Sequence, residues 1–376
     1  MSLRVEPARS AEARERVHRF RYRVYVEEMG IETPEADADR RILCDPLDAH
    51  AVCWALLDGD RVVGTVRAAV LSDVPDPTPL IERYEMKPAV EAFGPEAIAL
   101  SGRFMLDPEL RGGTAILRLM SAAFDDARER GVRLTYGDCS PHLLGLYEHL
   151  GFRRYARAFM DPDYGFKVPI LLLLGDAEQL ERVRSPLRRV ARRWPEDDAA
   201  ARWFRETHPD HPGVETASLL PEGVFLDLLC ERVAGDPLHA LGLLRGLTRE
   251  EAERFLARAT VVRAGDGDAL VRQGERGEAL FVLLSGGAEV RLDERPEAPI
   301  GWLGAGDFFG EMGFLTESER TASVVARGEC ETVVLSGDFL RGLLEREPAL
   351  AAKVLLNLSR EMAGRLADMN RRVAPR

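Results

Sequence analysis

The sequence contains few cysteines, and their spacing excludes two classes of small stabilised domain. Five cysteines occur among 376 residues, and no two of them lie at Cys-x-x-Cys spacing. An odd number without paired spacing argues against a disulfide framework and against a structural zinc site. We therefore expect a protein of the reducing cytoplasm that holds no metal. The cysteines are Cys44, Cys53, Cys139, Cys230 and Cys330.

Long hydrophobic runs are also missing. The first segment, MSLRVEPARSAEARERVHRF, contains no apolar stretch of signal-peptide length. The longest apolar run, VPILLLL at 168–174, is far shorter than the roughly 20 residues that cross a bilayer. We expect a cytoplasmic protein without a membrane span.

Positive charge is in deficit, because 51 basic residues face 63 acidic ones and leave a net charge of −12. This balance disfavours broad contact with nucleic-acid phosphates, although one small anion can still bind in a local pocket. We expect no nucleic-acid partner. The length of 376 residues predicts two or three domains.

Residues 1–185 alternate strand and helix patterns. The segment AVCWALLDGDRVVGTVRAAVL (51–71) predicts two strands joined by a tight Asp-Gly-Asp turn. An amphipathic pattern at 118–131 predicts a helix that ends at a glycine. Further predicted elements are a strand at 133–139, a helix at 141–152 and a strand at 167–175. The alternation indicates an α+β domain with a mixed sheet and flanking helices.

The remaining residues follow two other patterns. Five prolines interrupt short helical pieces in 186–235, which predicts a helical connector whose start is strongly basic. In 236–376, short apolar segments with glycine-rich turns are typical of a β-jelly roll, and 347–372 predicts one C-terminal helix. One face of this helix carries Leu358, Met362, Leu366 and Met369.

The segment FFGEMGFLTESERTASV (308–324) brings a carboxylate and a guanidinium together. Gly310-Glu311-Met312 predicts a short helical turn whose N–H groups point at an anion. Arg320 supplies a bidentate fork for the same phosphate, and Glu311 supplies an acceptor for a sugar hydroxyl. A solvated turn with an incidental ion pair is the alternative.

The surrounding residues, 236–372, resemble the cyclic-nucleotide-binding domain of catabolite activators and cyclic-nucleotide-dependent kinases. The resemblance is carried by GDALVRQGERGEALFVLLSGGAEV (267–290) and FGEMGFLTESERTASVVA (309–326). It implies that Glu311 holds the ribose 2′-hydroxyl and that Arg320 holds the cyclic phosphate. The other residues that it assigns to this site are Gly310, Met312, Thr321 and Ala322.

The same resemblance bears on the ligand and on its effect. Thr321 does not decide between cAMP and cGMP as the allosteric ligand. We expect cAMP because the sequence is bacterial in style, and cGMP is the alternative. Catabolite activators carry a helix-turn-helix after the long helix, whereas this sequence ends at Arg376, so we expect the sensor to regulate the first domain. The apolar face of the helix at 350–372 is compatible with capping the nucleotide, with a homodimer, and with plain packing on the barrel.

A second informative stretch, LDPELRGGTAILRLMSAAFDDA (106–127), predicts a strand, a glycine loop and a helix. The N–H groups at such a helix start bind phosphates, although glycine before a helix is common and an ordinary loop is the alternative. Together with LLGLYEHLGFRRY (143–155), this order resembles the GNAT acyltransferase superfamily. The resemblance implies that Tyr147 protonates the leaving thiolate. It assigns the acyl-thioester arm to Leu106, Arg111, Gly112, Gly113 and Thr114.

The loop departs from that superfamily where Thr114 and Ile116 replace glycine. The departure favours an acyl group on an acyl carrier protein, which needs less of the loop, over acyl-CoA. The basic stretch Arg184–Arg193 is expected to steer an acidic carrier protein, and a solvated helix face is its alternative role.

Four early segments resemble acyl-homoserine-lactone synthases and the related long-chain N-acyl amino acid synthases. They are FRYRVYVEEMG (20–30), CDPLDAH (44–50), VVGTVRAAV (62–70) and LSGRFMLDPELRG (100–112). The resemblance assigns site positions to Arg21, Tyr25, Asp45, Asp48, Arg67, Ser101, Arg103 and Phe104. Leu100 replaces a glutamate of the homoserine-lactone branch, so the N-acyl amino acid branch is favoured, with a small amine such as an amino acid as acceptor. A buried ion-pair network is the alternative role for these charges.

The expected mechanism is direct transfer of a long acyl group in a cleft where two central strands splay. N–H groups near Phe104–Leu106 polarise the thioester carbonyl, and the amine attacks without a covalent enzyme intermediate. Cys139 is not expected to act as a nucleophile, because no histidine lies at an obvious partner position. Two other functions stay open: a cAMP-regulated protein-lysine acetyltransferase, and a non-catalytic nucleotide-sensing protein with a degenerate acyltransferase domain.

Overall fold

A computed structural model describes residues 3–111, 113–209, 216–233, 235–277, 279–295, 298–316 and 318–373. The chain divides into two compact units. The first unit comprises Met1–Ser140 and Leu146–Gly213, and the second comprises Pro141–Gly145 and Val214–Arg376.

The first unit is built on an eight-stranded sheet. Its order is β1-β4-β5-β6-β7-β10-β8, with β9 also paired to β10, while β2 and β3 form a separate small hairpin. Strands β6 and β7 run parallel, and the other pairs are antiparallel. The strands are β1 Leu3–Pro7, β2 Ala36–Asp37, β3 Ile42–Leu43, β4 Val52–Asp58, β5 Arg61–Val70, β6 Ile98–Leu106, β7 Leu134–Cys139, β8 Arg153–Arg154, β9 Phe159–Asp161 and β10 Gly165–Leu173.

The predicted hairpin at 51–71 is confirmed. Strands β4 and β5 pair from Val52–Ala68 to Asp58–Arg61, and two residues connect them. Gly59 has a φ of +61°, a left-handed conformation that glycine adopts at little cost and that a two-residue hairpin turn requires.

Eight α-helices surround this sheet among the described residues. The first begins at Ser10, whose side chain accepts from Ala13 N at 3.1 Å, and it continues as a π-helix over Arg23–Glu28. The fourth is amphipathic, as predicted, and the chain leaves it through Gly131 at a φ of +79°. The helices are α1 Ala11–Tyr22, α2 Thr78–Arg83, α3 Lys87–Phe93, α4 Ala115–Glu129, α5 Leu144–Leu150, α6 Ala177–Arg182, α7 Arg188–Ala191 and α8 Asp198–Thr207.

The second unit is built on a six-stranded sheet. Its order is β11-β16-β13-β14, with β12 paired to β16 and β15 paired to β13. The strands are β11 Thr260–Ala264, β12 Ala269–Val271, β13 Ala279–Arg291, β14 Gly301–Leu303, β15 Phe308–Phe309 and β16 Ser323–Ser336. The helices are α9 Val224–Arg232, α10 Pro237–Ala240, α11 Arg249–Leu256, α12 Glu311–Thr316, α13 Gly337–Arg346 and α14 Pro348–Val373.

Glycine bends the longest strand pair of this sheet, β13 with β16. The register shifts on both sides of Ser285, and Gly286 has a φ of +77°. A Cβ at Gly286 would lie 2.3 Å from the Glu329 carbonyl oxygen, so a side chain there would clash with the neighbouring strand. The glycine-marked strands predicted from the sequence are therefore present, together with the predicted C-terminal helix.

Both units bury apolar residues contributed by the stretch that was predicted to be a connector. Helix α8 places Ala200, Ala201 and Phe204 in a core cluster of the first unit. Helix α9 places Phe225 and Leu229 in the core of the second. The predicted fold class, a mixed sheet with helices followed by a β-rich domain with a terminal helix, is confirmed. Among the described residues, no helix combines the length and apolarity that would span a bilayer.

Candidate acyltransferase and nucleotide sites

The sheet of the first unit opens between its two parallel strands. Registered pairs between β6 and β7 run from Ile98–Leu134 to Leu100–Tyr136, although β6 continues to Leu106 and β7 to Cys139. At the last close approach, a Cβ on Gly137 would lie 2.8 Å from the Ser101 carbonyl oxygen. Beyond this point the two strands have no registered pairs, and the predicted cleft between them stays a prediction.

A bulge in β6 lies beside this opening. Between Thr65–Met105 and Arg67–Gly102, β5 advances by two residues while β6 advances by three. The extra residue bends the strand and re-aims the side chains next to it. Arg103 sits in the bulge with a φ of +52°, which is uncommon for a residue with a side chain.

The guanidinium of Arg103 is held on all sides. It lies 5.6 Å from the centre of the Tyr25 ring and 4.8 Å from that of Tyr164. It donates to Asp45 at 2.6 Å and to the Tyr164 hydroxyl at 2.5 Å, and it also pairs with Glu35. The sequence singled out Tyr25 and Asp45 but missed Glu35 and Tyr164, since neither belongs to a recognisable motif.

The aspartates of CDPLDAH form a buried ion-pair network. Arg67 reaches Asp45 at 2.5 Å and Asp48 at 3.2 Å, and Arg21 reaches Asp48 at 2.7 Å. The Asp45 side chain also accepts from Leu47 N and caps the 3-10 helix Pro46–His50. The ion-pair network considered from the sequence is thus present. Through Asp45 it also holds the guanidinium of Arg103.

Electrostatics keeps these carboxyls ionised. Burial alone would raise the pKa of Asp48, but the guanidiniums of Arg21 and Arg67 outweigh it and hold that pKa well below its usual range. The pKa of Asp45 is likewise lowered, because Arg67 and Arg103 outweigh the effect of burial. The network therefore consists of charged pairs at neutral pH.

Tyr147 lies on α5 and packs against Phe104 of β6. Its ring makes edge contacts with Phe104 at 6.5 Å and Phe152 at 5.3 Å between ring centres. Burial, followed by the nearby Cys139 thiol, raises the pKa of the Tyr147 phenol well above its ordinary value. The phenol thus holds its proton at neutral pH, which suits a proton donor.

Burial also raises the pKa of the Cys139 thiol, with Asp138 adding to the effect. A thiolate is therefore costly at this position, and it is the thiolate that acts as a nucleophile. This environment agrees with the expectation that Cys139 does not form a covalent intermediate.

The predicted thioester loop precedes α4, whose first-turn N–H groups have no partner within the helix. Arg111 pairs with Glu28 at 2.5 Å and donates to the Leu106 carbonyl at 3.1 Å, so its side chain is already engaged. Thr114 is the residue before the helix, and its side chain does not cap it. Gly112, also predicted here, lies outside the described residues, whereas Gly113 is exposed.

The basic stretch Arg184–Arg193 carries several ion pairs. Arg192 reaches Glu181 at 2.5 Å, and Arg193 reaches Asp125 at 2.9 Å. These pairs fit the alternative of a solvated helix face making surface ion pairs.

Three groups near the network have metal-ligand types. Ligand atoms of His18, Cys44 and Asp48 all lie within 4.8 Å of one another. The adjacent guanidiniums of Arg21 and Arg67 repel a cation, and burial raises the pKa of Cys44 to about 11. The cluster is therefore a poor cation site.

The nucleotide cassette of the second unit places Arg320 behind the turn that begins α12. Its guanidinium donates to the Gly310 carbonyl at 2.5 Å and to the Ala279 carbonyl at 2.8 Å. Burial lowers the pKa of Arg320 to about 10, although Glu275 and Glu311 oppose the shift. Gly310 has a φ of +81°, and a Cβ there would lie 2.7 Å from Arg320 Nη1.

The other predicted cassette residues lie close to Arg320 in the chain and differ in exposure. Glu311 begins α12, and Met312 on the same helix is exposed. Thr321 is exposed and Ala322 is half-buried, immediately before β16. Glu311 and Arg320 thus flank one short turn, as the sequence predicted.

Two side chains of helix α14, those of Asn357 and Arg365, donate hydrogen bonds to backbone carbonyls of the second unit. Asn357 donates to the carbonyls of Leu243 at 3.0 Å and Arg245 at 2.8 Å. Arg365 donates to the Phe308 carbonyl at 2.7 Å and lies 4.4 Å from the centre of its ring.

The predicted apolar face of α14 is only partly buried. Leu358 is buried, Met362 packs on the core, and Leu366 is 59% exposed. The Met369 side chain lies outside the described residues.

Comparison with known families gives a match for each unit. A family model described as N-acyl amino acid synthase FeeM matches residues 16–176. A family model described as cyclic nucleotide-binding domain matches residues 261–347.

Curated proteins that are similar to part of the chain include two bacterial regulators. The cAMP-activated global transcriptional regulator Vfr of Pseudomonas aeruginosa is 34% identical over 126 residues, which are 32% of this chain and 53% of that protein. The cAMP-activated global transcriptional regulator CRP of Salmonella typhimurium is 32% identical over 124 residues, which are 32% of this chain and 57% of that protein. The chain thus spans about half the length of these curated relatives.

Solved structures similar to the chain include two bacterial proteins. A cyclic nucleotide-binding domain from Methylobacillus flagellatus has a TM-score of 0.36 at 25% identity, covering 42% of this chain and 93% of its own. The catabolite activator protein of Thermus thermophilus has a TM-score of 0.32 at 30% identity, covering 35% of this chain and 61% of its own. Residues 16–176 thus match the N-acyl amino acid synthase FeeM family, and residues 261–347 match the cyclic nucleotide-binding domain family.

Proposed function

We propose that this protein transfers a long acyl group from a pantetheine thioester to the amine of a small molecule such as an amino acid, under the control of cAMP. The observation that carries the proposal is the opening between β6 and β7, because a bulged strand, a held guanidinium and a protonated phenol meet there.

The thioester enters this opening beside the bulge. The edge of β6 that faces β7 has registered partners only from Ile98 to Leu100. N–H groups of the following residues, Phe104–Leu106, are therefore the candidates to polarise the thioester carbonyl. Such donors stabilise the oxyanion that develops during acyl transfer.

Transfer proceeds by direct attack. The neutral amine nitrogen forms a bond to the carbonyl carbon, and the carbon–sulfur bond breaks with its electron pair leaving on sulfur. The Tyr147 hydroxyl gives its proton to this thiolate, and the proton released by the amine restores the phenol. The products are an amide and a free thiol, so no covalent enzyme intermediate is formed.

The ion-pair network positions these groups. Asp45 and Glu35 hold Arg103, while Arg67 and Arg21 hold the two aspartates in turn. A buried network of ion pairs keeps its geometry because removing the partner of a buried charge is costly. We assign a positioning role, which holds Arg103 in place, to Arg21, Asp45, Asp48 and Arg67. Arg103 itself is assigned to the wall of the acceptor site.

The second unit is proposed to bind cAMP. Its matched relatives carry the description cAMP-activated, and its cassette has the turn and the arginine that a cyclic phosphate requires. On binding, the N–H groups of Arg320 that donate to the Gly310 and Ala279 carbonyls would donate to the phosphate instead. Glu311 would accept a hydrogen bond from a ribose hydroxyl.

The path of the chain supports regulation of one unit by the other. Residues Pro141–Gly145 group with the second unit, although the chain on both sides of them belongs to the first. They lead directly into the helix that carries Tyr147. The two units belong to one chain, and nucleotide binding in the second is proposed to change the activity of the first.

The test is acyl transfer by the full chain. Hexadecanoyl groups are supplied on an acyl carrier protein and on coenzyme A, the amino acids are offered as acceptors, and products are identified by mass spectrometry with and without cAMP. An N-acyl amino acid whose rate of formation changes with cAMP is the expected result.

Absence of turnover with every donor would overturn the enzymatic proposal and leave a nucleotide-sensing protein. Equal rates with and without cAMP, at low and at saturating donor, would overturn the regulatory part. The predicted dimer is tested separately by sedimentation, with exposed Leu356 and Leu366 of α14 as the positions to change.

A further inference from the structure

A cavity of about 380 Å³ lies in the first unit between α1, its π-helical extension and the start of β5. Its walls carry arginines, and its floor is apolar. Phe20 and Val62 on the floor are buried. The arginines are Arg16, Arg19, Arg23, Arg41 and Arg61.

The charge of this cavity runs against that of the chain. Its lining has five arginines against Glu27 and Asp60, an excess of three positive charges (5 − 2), whereas the whole chain has a net charge of −12. When Glu15 and Asp107, which pair with lining arginines from outside, are added, guanidiniums still outnumber carboxylates by five to four.

The arginines are held by pairs that an anion can replace. Arg19 pairs with Glu15 at 2.8 Å, and Arg41 pairs with Glu27, with 60% and 67% of the arginine side chains exposed. Exposed ion pairs of this kind contribute little to stability, so their rearrangement around a ligand costs little. The Nε atom of Arg16 is buried and has no hydrogen-bond partner among the described residues.

The cavity adjoins the end of β6, close in the chain to the predicted thioester loop. Arg23 and Arg61 reach Asp107 at 2.8 and 3.7 Å. Asp107 follows β6 directly and lies four residues before Arg111 in the thioester loop. A phosphate at the end of the arm would therefore arrive among these guanidiniums.

The thioester loop has fewer groups available to bind a phosphate than the loop of the GNAT superfamily that it resembles. Thr114 and Ile116 stand where the glycines were expected, and the Arg111 side chain is engaged by Glu28. Side-chain guanidiniums from α1 and β5 compensate for what the loop lacks, because arginine binds phosphate with a planar fork of donors.

We infer that this arginine cavity binds the 4′-phosphate of the donor's phosphopantetheine arm. The apolar floor fits the dimethyl-substituted carbon that stands next to that phosphate. The ligand class rests on the proposed acyl transfer, and the phosphate belongs either to coenzyme A or to a carrier protein.

The test measures binding, so it does not depend on turnover. Calorimetry with the full chain compares 4′-phosphopantetheine with pantetheine at low salt. We expect the phosphate to tighten binding at least tenfold, and we expect the double variant Arg19→Glu/Arg41→Glu to reduce this preference to threefold or less. Circular dichroism verifies that each variant is folded.

Arg202→Glu is the matched control. Like Arg19, Arg202 is an exposed helical arginine paired with a carboxylate four residues earlier, at 3.0 Å. The control should keep the full preference for the phosphate. Titrations with coenzyme A and with a phosphopantetheinylated carrier protein then identify the source, because the natural donor loses most affinity in the double variant.

Equal binding of the two ligands by the unmodified chain would overturn the inference, as would a double variant that keeps the preference. These outcomes differ from failure of the proposed function. A phosphate preference without any acyl transfer would remove the enzymatic proposal alone, whereas acyl transfer without a phosphate preference would remove this inference alone.

Discussion

Removing Arg67 tests whether the buried network determines the stability of the first unit. In Arg67→Met the contacts to Asp45 at 2.5 Å and Asp48 at 3.2 Å are lost, and both carboxylates stay buried. Breaking a buried ion pair by removing one partner costs about 3–5 kcal/mol. Each aspartate keeps one guanidinium, Arg103 or Arg21, so we expect the lower end, about 3 kcal/mol.

The loss should depend on pH in a defined direction. The folded-state pKa values of both aspartates are lowered, so their contribution is present above the unfolded pKa of about 4 and is lost as pH falls towards the folded values. The difference between the unmodified chain and the variant should therefore be greatest near pH 7 and should shrink below about pH 4.

Urea unfolding followed by tryptophan fluorescence measures this difference. Three of the four tryptophans, Trp54, Trp194 and Trp203, belong to the first unit, and the fourth, Trp302, is 67% exposed in the second. A Trp302→Phe background thus makes the signal specific to the first unit. Arg202→Met, which removes an exposed arginine, should change stability by no more than about 0.5 kcal/mol.

Two results would refute the reasoning. A loss below about 1 kcal/mol at pH 7 would mean that the network contributes little beyond its burial cost. A loss that stays constant down to pH 3 would mean that the aspartates do not carry the charges assigned to them.

Three further predictions concern the cleft and the cassette. Tyr147→Phe should lower kcat by about 10²–10⁴-fold with little change in donor binding, whereas Tyr155→Phe, whose hydroxyl donates to the Tyr84 carbonyl, should not; equal kcat values in steady-state assays would contradict the assigned proton donor. Gly137→Ala places a Cβ 2.8 Å from the Ser101 carbonyl oxygen, so it should destabilise the first unit by about 1–3 kcal/mol in thermal unfolding, and an unchanged Tm would show that the close approach of the two strands does not require this glycine. Arg320→Lys removes the planar fork and should weaken cAMP binding at least tenfold in calorimetry, while Arg327→Lys in the following strand β16 should not, and retention of full affinity would exclude Arg320 from the phosphate site.

Local patterns predicted much of the architecture. The Asp-Gly-Asp turn, the helix that leads to Gly131 and the long C-terminal helix all follow from periodicity and turn chemistry, and each is present. The CDPLDAH aspartates were singled out by resemblance, and the structure shows why they occur as a pair, since one caps a short helix while both hold arginines.

What the sequence did not reveal depends on distant contacts. Glu35 and Tyr164 meet Arg103 across 68 and 61 residues of chain, so no local pattern announces them. The bulge in β6 is set by register against β5, which sequence periodicity along one strand does not determine. The arginine cavity likewise combines α1 with the start of β5, and only the fold brings them together.

The bulge has a consequence for how the strand tolerates change. Side chains of a β-strand alternate between its two faces, and one additional residue reverses that alternation for every residue that follows. Deleting a single residue between Gly102 and Met105 would therefore exchange the faces on which the buried side chains of Met105 and Leu106 pack. The number of residues in this strand is therefore a structural constraint in addition to their identities. A library of variants should change side chains here and keep the length of the strand fixed.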